Sequence, residues 1–149
     1  MNKLEAVVTG IEHTDIVSYV SLKSGETTIR LIKTKTPVWL TVGEKVFFTF
    51  QEASVCVSKE CPGKVSIENR IPGTLERMRS KDSLCELTFE SDIGKVVSLI
   101  TEKACHELGL EEGCSATMLL RGVDIHLEPE VKPTDFESVA KQVRTKVAN

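Results

Sequence analysis

The sequence lacks any apolar run long enough to span a bilayer, and its first residues, MNKLEAVVTG, have no signal-peptide pattern. We therefore expect a cytoplasmic protein that does not associate with membranes. Aromatic residues make up only 5% of the chain, and the formal net charge is -3. A nucleic-acid-binding surface needs clustered positive charge or aromatic side chains on a basic face, so we expect no nucleic-acid partner. A small anion needs only local hydrogen-bond donors and stays possible.

The sequence also lacks a C-x-x-C pair, although it has five cysteines. Cys56 and Cys61 are the closest two, and three scattered histidines show no metal-ligand spacing. We interpret the cysteines as small buried side chains or free thiols, and we expect no bound metal cation. No nucleophile and base occur in a recognisable pattern, so we predict that the protein is not an enzyme.

The chain contains an internal repeat. NKLEAVVTGIE aligns with NRIPGTLERMR, which places Asn2 on Asn69, and LTVGEKVFFTF aligns with LEEGCSATMLL, which places Gly43 on Gly113. The offset grows from 67 to 70 residues between these two pairs, so the second copy carries a few extra residues. We predict a first unit at residues 1–60 and a second at residues 66–130, closely apposed because only a Pro-Gly turn separates them.

Each unit has the pattern of short β-strands rich in Val, Ile, Phe and Thr. In the first unit the candidate strands are EAVVTGI, IVSYVSL, TTIRLI, KVFFTF and SVCVS. Gly25 in KSGET predicts a hairpin turn, and Asp92 with Gly94 predicts its counterpart. Trp39, Phe47, Phe48 and Phe50 are the candidate aromatic core residues. Five short strands in about 60 residues is the size of an OB barrel.

Three other segments bear on the helices. TEKACHELGLEEG predicts a short helix capped by Thr101 and ended by Gly109, whereas TKTPVWLTVGE contains Pro37 and predicts only a turn. Residues 131–149 begin with a Thr-x-x-Glu capping box and have one apolar face, which predicts an amphipathic C-terminal helix. The predicted fold is therefore all-β, with two tandem OB-like five-stranded barrels and a C-terminal helix that packs on a barrel or on a partner chain.

The motifs together resemble the TOBE family, also called the molybdopterin-binding (Mop) or molbindin domain. The opening of that family, Ser-Ala-Arg-Asn-x-Leu-x-Gly, is matched by SIENRIPG at 66–73. Its later segment, Ile-Thr followed by Leu-Gly-Leu-x-x-Gly, is matched by ITEKACHELGLEEG at 100–113. The resemblance extends over roughly residues 2–130, and the duplication resembles a tandem (di-Mop) protein.

The resemblance implies a protein that binds molybdate or tungstate as an oxyanion. Domains of this family occur in cytoplasmic storage proteins, in molybdate-responsive regulators and in molybdate-transporter ATPases. The sequence has no Walker A motif and no helix-turn-helix ahead of the first unit, so we expect a free-standing double domain that serves storage, homeostasis or sensing of molybdenum. We expect a homo-oligomer, because the sites of the family lie between packed barrels and one small barrel is marginally stable.

The resemblance also implies which residues bind the oxyanion. A tetrahedral dianion has only acceptor oxygens, so its site needs hydroxyls, amides and a few cations. The candidate residues are Ser66, Asn69, Arg70, Thr101, Arg121, Gly122 and Lys33. The alternative for each is a purely structural role: Ser66 and Asn69 brace a turn, Thr101 caps a helix, and Arg121 is a solvated surface charge.

One position departs from the pattern of the family. Glu68 stands where the family has arginine, and losing that cation to a carboxylate costs on the order of 1–3 kcal/mol of binding. Arg70 either pairs with Glu68 or takes over the role of the cation, and in the first unit Lys33 compensates for Glu52. A second interpretation therefore stays open: a degenerate interaction module that binds no oxyanion and partners a molybdate-transporter ATPase or a regulator.

Overall fold

The computed structural model describes residues 1–60 and 62–130. The predicted C-terminal helix at 131–149 and Cys61 lie outside the described residues. The first repeat contributes β1 (Asn2–His13), β2 (Ser18–Ser24), β3 (Thr27–Lys33), β4 (Lys45–Phe50) and β5 (Cys56–Ser58). The second contributes β6 (Asn69–Lys81), β7 (Leu84–Ser91), β8 (Gly94–Thr101), α1 (Glu102–Leu108), β9 (Ser115–Leu120) and β10 (His126–Pro129). Short 3-10 turns at Glu52–Ser54 and Gly122–Asp124 precede β5 and β10.

These strands form two antiparallel five-stranded sheets, which confirms the predicted all-β fold. The first sheet has the order β10-β4-β1-β2-β3, and the second has the order β5-β9-β6-β7-β8. The last strands are therefore exchanged: β5 pairs with β9 through Val57 and Met118, and β10 pairs with β4 through Leu127 and Phe48. The repeats interlock by this exchange, which the sequence alignment did not predict.

The repeat is visible in fine detail. A register shift interrupts the β1–β2 pairing between Val8 and Gly10, and an equivalent shift interrupts the β6–β7 pairing between Leu75 and Arg77. Such bulges bend a strand and increase its twist, as the closing of a small barrel requires. The two repeats therefore share local irregularities as well as strand order.

The extra residues of the second repeat form α1. Its predicted cap is confirmed, since Thr101 accepts a hydrogen bond from the N–H of Ala104 at 3.1 Å, and Gly109 ends the helix with φ 63°. The first repeat has only a turn here, closed by the N–H of Leu40 on the carbonyl of Pro37 at 3.1 Å. This difference explains why the offset between the repeats changes along the chain.

The core consists of side chains that alternate inward along the strands. The largest buried ones include Leu22, Ile29, Leu31, Phe48, Phe50, Leu75, Leu87, Phe89, Met118 and Leu120. Burying each contributes about 1.5–3 kcal/mol. The prediction of an aromatic core is confirmed for Phe48 and Phe50, which stack at 6.0 Å, while Trp39 and Phe47 are half-buried.

Candidate functional site

The two sheets contact each other along two seams that the repeat relates. The first seam is the contact of Glu68, Asn69 and Gly122 with Arg30 and Leu31 of β3. The second seam is the equivalent contact of Met1, Asn2 and Glu52 with Val97 of β8. In each seam, the first residue of a long strand contacts the edge strand of the other sheet.

The first seam is held by a buried asparagine. The Oδ1 atom of Asn69 accepts a hydrogen bond from the N–H of Arg30, and its Nδ2 atom donates to the carbonyl of Arg30, both at 2.8 Å. The same Nδ2 atom donates to the carbonyl of Leu120 at 3.0 Å. Both amide protons of Asn69 are therefore used within the protein, so its amide joins the two sheets and does not present a free donor to a ligand.

Asn2 repeats this arrangement in the second seam. Its Nδ2 atom donates to the carbonyl of Val97 at 2.8 Å, and its Oδ1 atom accepts from the N–H of Val97 at 2.8 Å. Asn2 is 6% exposed and Asn69 is 3% exposed, so the amide side chains that make these hydrogen bonds are themselves shielded from water. The sequence alignment of Asn2 with Asn69 was the signal that could have identified this pair of clasps.

Gly122 lies unusually close to β3. A Cβ atom at this position would lie 2.8 Å from the carbonyl oxygen of Arg30 and 3.1 Å from the Cα of Leu31, so only glycine fits without a shift of the backbone. The N–H of Gly122 donates to the Oε2 atom of Glu68 at 3.2 Å. From the sequence we expect this N–H to be accessible to an oxyanion; in the structure it donates to a carboxylate of the same chain.

Arg121 has a partner of its own beside Gly122. Its Nε atom donates to Asp124 at 2.9 Å and a terminal nitrogen donates to the other carboxylate oxygen at 3.3 Å. The guanidinium is 62% exposed. Exposed ion pairs of this kind contribute about 0–1 kcal/mol, so an anion can compete for this side chain.

Arg70 braces the chain that leads into β6. Its guanidinium donates to the carbonyls of Gly63, Val65 and Ile67 at 2.9, 2.9 and 3.3 Å. No ion pair joins Arg70 to Glu68 within the described residues, so the structure does not contain the pairing that was one of the two alternatives for Arg70. Ser66 lies in the braced segment and is exposed.

Lys33 and Thr101 end strands that belong to different sheets. Lys33 ends β3, and partial burial lowers the pKa of its ammonium group by desolvation. Thr101 ends β8, the strand that Asn2 contacts, and its hydroxyl caps α1. The structure therefore brings Glu68, Asn69, Gly122 and β3 together in the first seam and places Thr101 on the other sheet.

The second seam has a different closing group. The amino group of Met1 donates to the carboxylate of Glu52, and this hydrogen bond lowers the pKa of Glu52. By the repeat, Met1 is the equivalent of Glu68 and Glu52 is the equivalent of Gly122. The second seam therefore has an ion pair where the first has a carboxylate on a backbone amide.

The hairpin turns of the two repeats also meet. The carboxylate of Asp92 accepts hydrogen bonds from the hydroxyl of Thr27 at 2.7 Å and from the N–H of Glu26 at 2.8 Å. These two hydrogen bonds, that of Thr27 foremost, lower the pKa of Asp92. A Cβ atom on Gly25 would lie 2.5 Å from the carbonyl oxygen of Asp92. The sequence predicted both turns but not their contact.

Other candidate chemistry is limited in the part of the chain that the structure describes. No group of three or more His, Cys, Asp or Glu side chains there is arranged to hold a metal ion. The Sγ atoms of Cys85 and Cys105 lie 3.4 Å apart as free thiols, and burial raises the pKa of Cys105 to about 11. Among the same residues, no helix combines the length and apolar character that a membrane crossing needs.

The second repeat matches the model of a known domain family. The TOBE domain model matches residues 65–127, which contain β6 to β9 and the start of β10. Residues 65–127 are therefore similar to a TOBE domain. The resemblance read from the sequence is confirmed for the second repeat, and the sheet of the first repeat has the same topology as that of the second.

The whole fold is similar to a solved structure. The cytoplasmic molybdate-binding protein ModG, in a form with molybdate bound, matches with a TM-score of 0.81 and 21% sequence identity. The match covers 86% of this chain and 95% of the ModG chain, so the likeness extends over both repeats. No curated protein matches the sequence.

Proposed function

We propose that this protein binds molybdate or tungstate as an oxyanion and serves storage, homeostasis or sensing of molybdenum in the cytoplasm. The observation that carries the proposal is the fold that the chain shares with ModG, a protein that binds molybdate, over 86% of its length. The TOBE domain at residues 65–127 supports the same conclusion. Binding of this kind requires no covalent step, so the protein acts as a binding protein and not as an enzyme.

The first seam is the proposed oxyanion site. Gly122 already holds an anionic oxygen at 3.2 Å from its N–H, so the amide is oriented toward negative charge. Arg121 directly precedes Gly122 and is exposed, and Ser66, two residues before Glu68, is the assigned hydroxyl. Lys33, at the end of β3, is the assigned second cation. Hydroxyls and amides with few cations suit a dianion that must be released again.

We further propose that the sites are completed in a homo-oligomer. Large apolar side chains that remain exposed include Ile16, Tyr19, Val38, Val42 and Val123. Covering them in contacts between copies would remove apolar surface from water. The molar mass of the purified protein, measured by light scattering, should be a multiple of the 16.5 kDa of one chain. A molar mass equal to one chain would contradict this part of the proposal.

Calorimetric titration of the full chain tests the function directly. The experiment compares molybdate, tungstate and sulfate at constant pH and ionic strength. Heat with the two larger oxyanions and none with sulfate is expected, because dianions of equal charge can be distinguished only by size, and a site that fits the larger tetrahedra contacts sulfate poorly. Absence of heat with all three anions would contradict the proposal.

One observation favours a second candidate function, an interaction module that binds no oxyanion. Glu68 replaces the cation of the family and occupies the N–H of Gly122. Such a module would partner a molybdate-transporter ATPase or a regulator. Failure to bind any oxyanion, together with co-purification of either partner with the full chain, would favour this candidate over the first.

A further inference from the structure

We propose that Glu68 is an internal ligand of the oxyanion seam, which an incoming oxyanion must displace, so that this residue sets the affinity. The inference rests on the proposed function, since it concerns the same site. It assigns to Glu68 a role opposite to that of the arginine found at this position in the family. The carboxylate holds the place of the anion when no anion is bound.

The geometry of the first seam supports this role. Oε2 of Glu68 accepts from the N–H of Gly122 at 3.2 Å, and the backbone on both sides of this contact is fixed. The neighbouring Asn69 is tied to Arg30 by two hydrogen bonds of 2.8 Å, and Gly122 packs against the carbonyl of Arg30. The amide therefore cannot turn to serve a second acceptor, and one N–H cannot donate fully to two anionic oxygens.

The side chain of Glu68, by contrast, is free to leave. Glu68 is exposed, and within the described residues it forms no ion pair that would hold it in the seam. A flexible carboxylate that accepts from a rigid donor competes with an incoming anion for that donor. Once displaced, the carboxylate is solvated by bulk water. Removing it exposes the amide and also removes a negative charge that repels the dianion.

The second seam offers a natural comparison. At the position equivalent to Gly122 it has Glu52, whose carboxylate is held by the amino group of Met1. A carboxylate thus closes both seams. That of Glu68 accepts from the N–H of Gly122 and, among the residues that the structure describes, has no cationic partner, whereas that of Glu52 is held by the ammonium group of Met1 in addition to its own backbone N–H. Displacement of the carboxylate by an anion is therefore easier in the first seam than in the second.

The test is calorimetric titration of the full-length protein with sodium molybdate and with sodium tungstate. It compares the wild type with Glu68→Gln, which keeps the shape of the side chain, and with Glu68→Ala, which removes the acceptor. Roughly tenfold tighter binding is expected for Glu68→Gln and at least that for Glu68→Ala, the size of one charge-assisted hydrogen bond regained. Glu76→Gln is the control, since Glu76 pairs with Lys95 and its substitution changes the net charge equally. This control should change the affinity less than twofold.

A second readout follows the donor itself. The amide proton resonance of Gly122 should move on Glu68→Ala without any anion, and it should move in the wild type when molybdate is added. Binding of equal strength in the wild type and Glu68→Ala would overturn the inference while the proposed function stands, and so would weaker binding by Glu68→Ala. Absence of binding in the wild type and in both Glu68 variants would overturn the inference and the proposed function together.

Discussion

The two seams have the same framework and different closing groups. In both, a buried asparagine makes a pair of 2.8 Å hydrogen bonds to one backbone residue of the opposite edge strand. In the first seam a carboxylate then meets a glycine amide, whereas in the second an ammonium group meets a carboxylate. The framework therefore belongs to the fold, while the closing group is where the two halves differ chemically.

The sequence motif combines residues with two different roles: some join the two sheets, and others close the seam between them. Each repeat has one such asparagine, Asn2 or Asn69, because the buried amide side chain and the unpaired backbone groups of the edge strand satisfy each other. The closing groups do not share such a requirement. The first seam is closed by Glu68 and Gly122, and the second is closed by the chemically different pair Met1 and Glu52. We therefore expect substitutions of the asparagines to affect stability and substitutions of the Glu68 carboxylate to affect binding.

Asn69→Ala should give the largest loss of stability. It leaves the N–H and carbonyl of Arg30 and the carbonyl of Leu120 without their partner, which costs about 3 kcal/mol of unfolding free energy. Asn2→Ala, which removes two hydrogen bonds, should cost about 2 kcal/mol. Urea unfolding measures both, and a loss under about 1 kcal/mol in each would contradict the role of the clasps.

Gly122→Ala should give the next-largest loss of stability. This loss should exceed that of a substitution at the equivalent position of the second seam. The new Cβ would meet the backbone of Arg30 at 2.8 Å, so the seam must open at a cost of roughly 2 kcal/mol. Glu52→Ala, at the equivalent position of the second seam, removes only an exposed ion pair and should cost less than about 1 kcal/mol. Equal losses in thermal unfolding would mean that the close approach is not specific to the first seam.

Asp92→Asn should alter the response of stability to acid. Hydrogen bonds from Thr27 and Glu26 lower the pKa of Asp92 below its ordinary 3.8, so the folded state favours the charged form. This contribution is present above about pH 4 and is lost as the pH falls through the folded pKa. The wild type should therefore exceed Asp92→Asn in stability at neutral pH and approach it in acid.

Unfolding midpoints between neutral pH and pH 2 measure this effect of Asp92. Asp15→Asn, in the loop between β1 and β2, removes the same charge away from the turn contact and serves as the control. A difference between wild type and Asp92→Asn that stays constant down to the lowest pH would contradict the assignment.

Arg121→Ala should have the smallest effect on stability, within about 0.5 kcal/mol, because its ion pair with Asp124 is exposed. It should nevertheless weaken molybdate binding by about tenfold, the loss of one charge-assisted hydrogen bond. Asp124→Ala is the matched variant, since it releases the guanidinium and should not weaken binding. Unchanged affinity in Arg121→Ala would place the site elsewhere.

The sequence predicted what local chemistry determines. Strands, both hairpin turns, the cap of α1 by Thr101 and the change of offset at α1 follow from residues close together in the chain, and the structure contains them. The exchange of β5 and β10 joins segments whose strand patterns are alike in both repeats, so the pattern fits either pairing. That exchange depends on how the halves pack, which local patterns do not encode.

The site was less predictable for the same reason. Glu68 and Gly122 are separated by 54 residues, and no spacing rule connects them. Arg70 illustrates the point: its place in the motif suggested a cation for the anion, but its guanidinium donates to three nearby carbonyls. Which donors remain available depends on contacts that only the folded chain defines.

An anomalous difference map from crystals soaked in tungstate would locate the bound oxyanion. We expect a strong peak in the first seam, within hydrogen-bond distance of the N–H of Gly122, with the carboxylate of Glu68 displaced from its 3.2 Å contact. A peak at another place, or a fully soaked crystal in which Glu68 still holds Gly122 and the seam is empty, would contradict the proposed site.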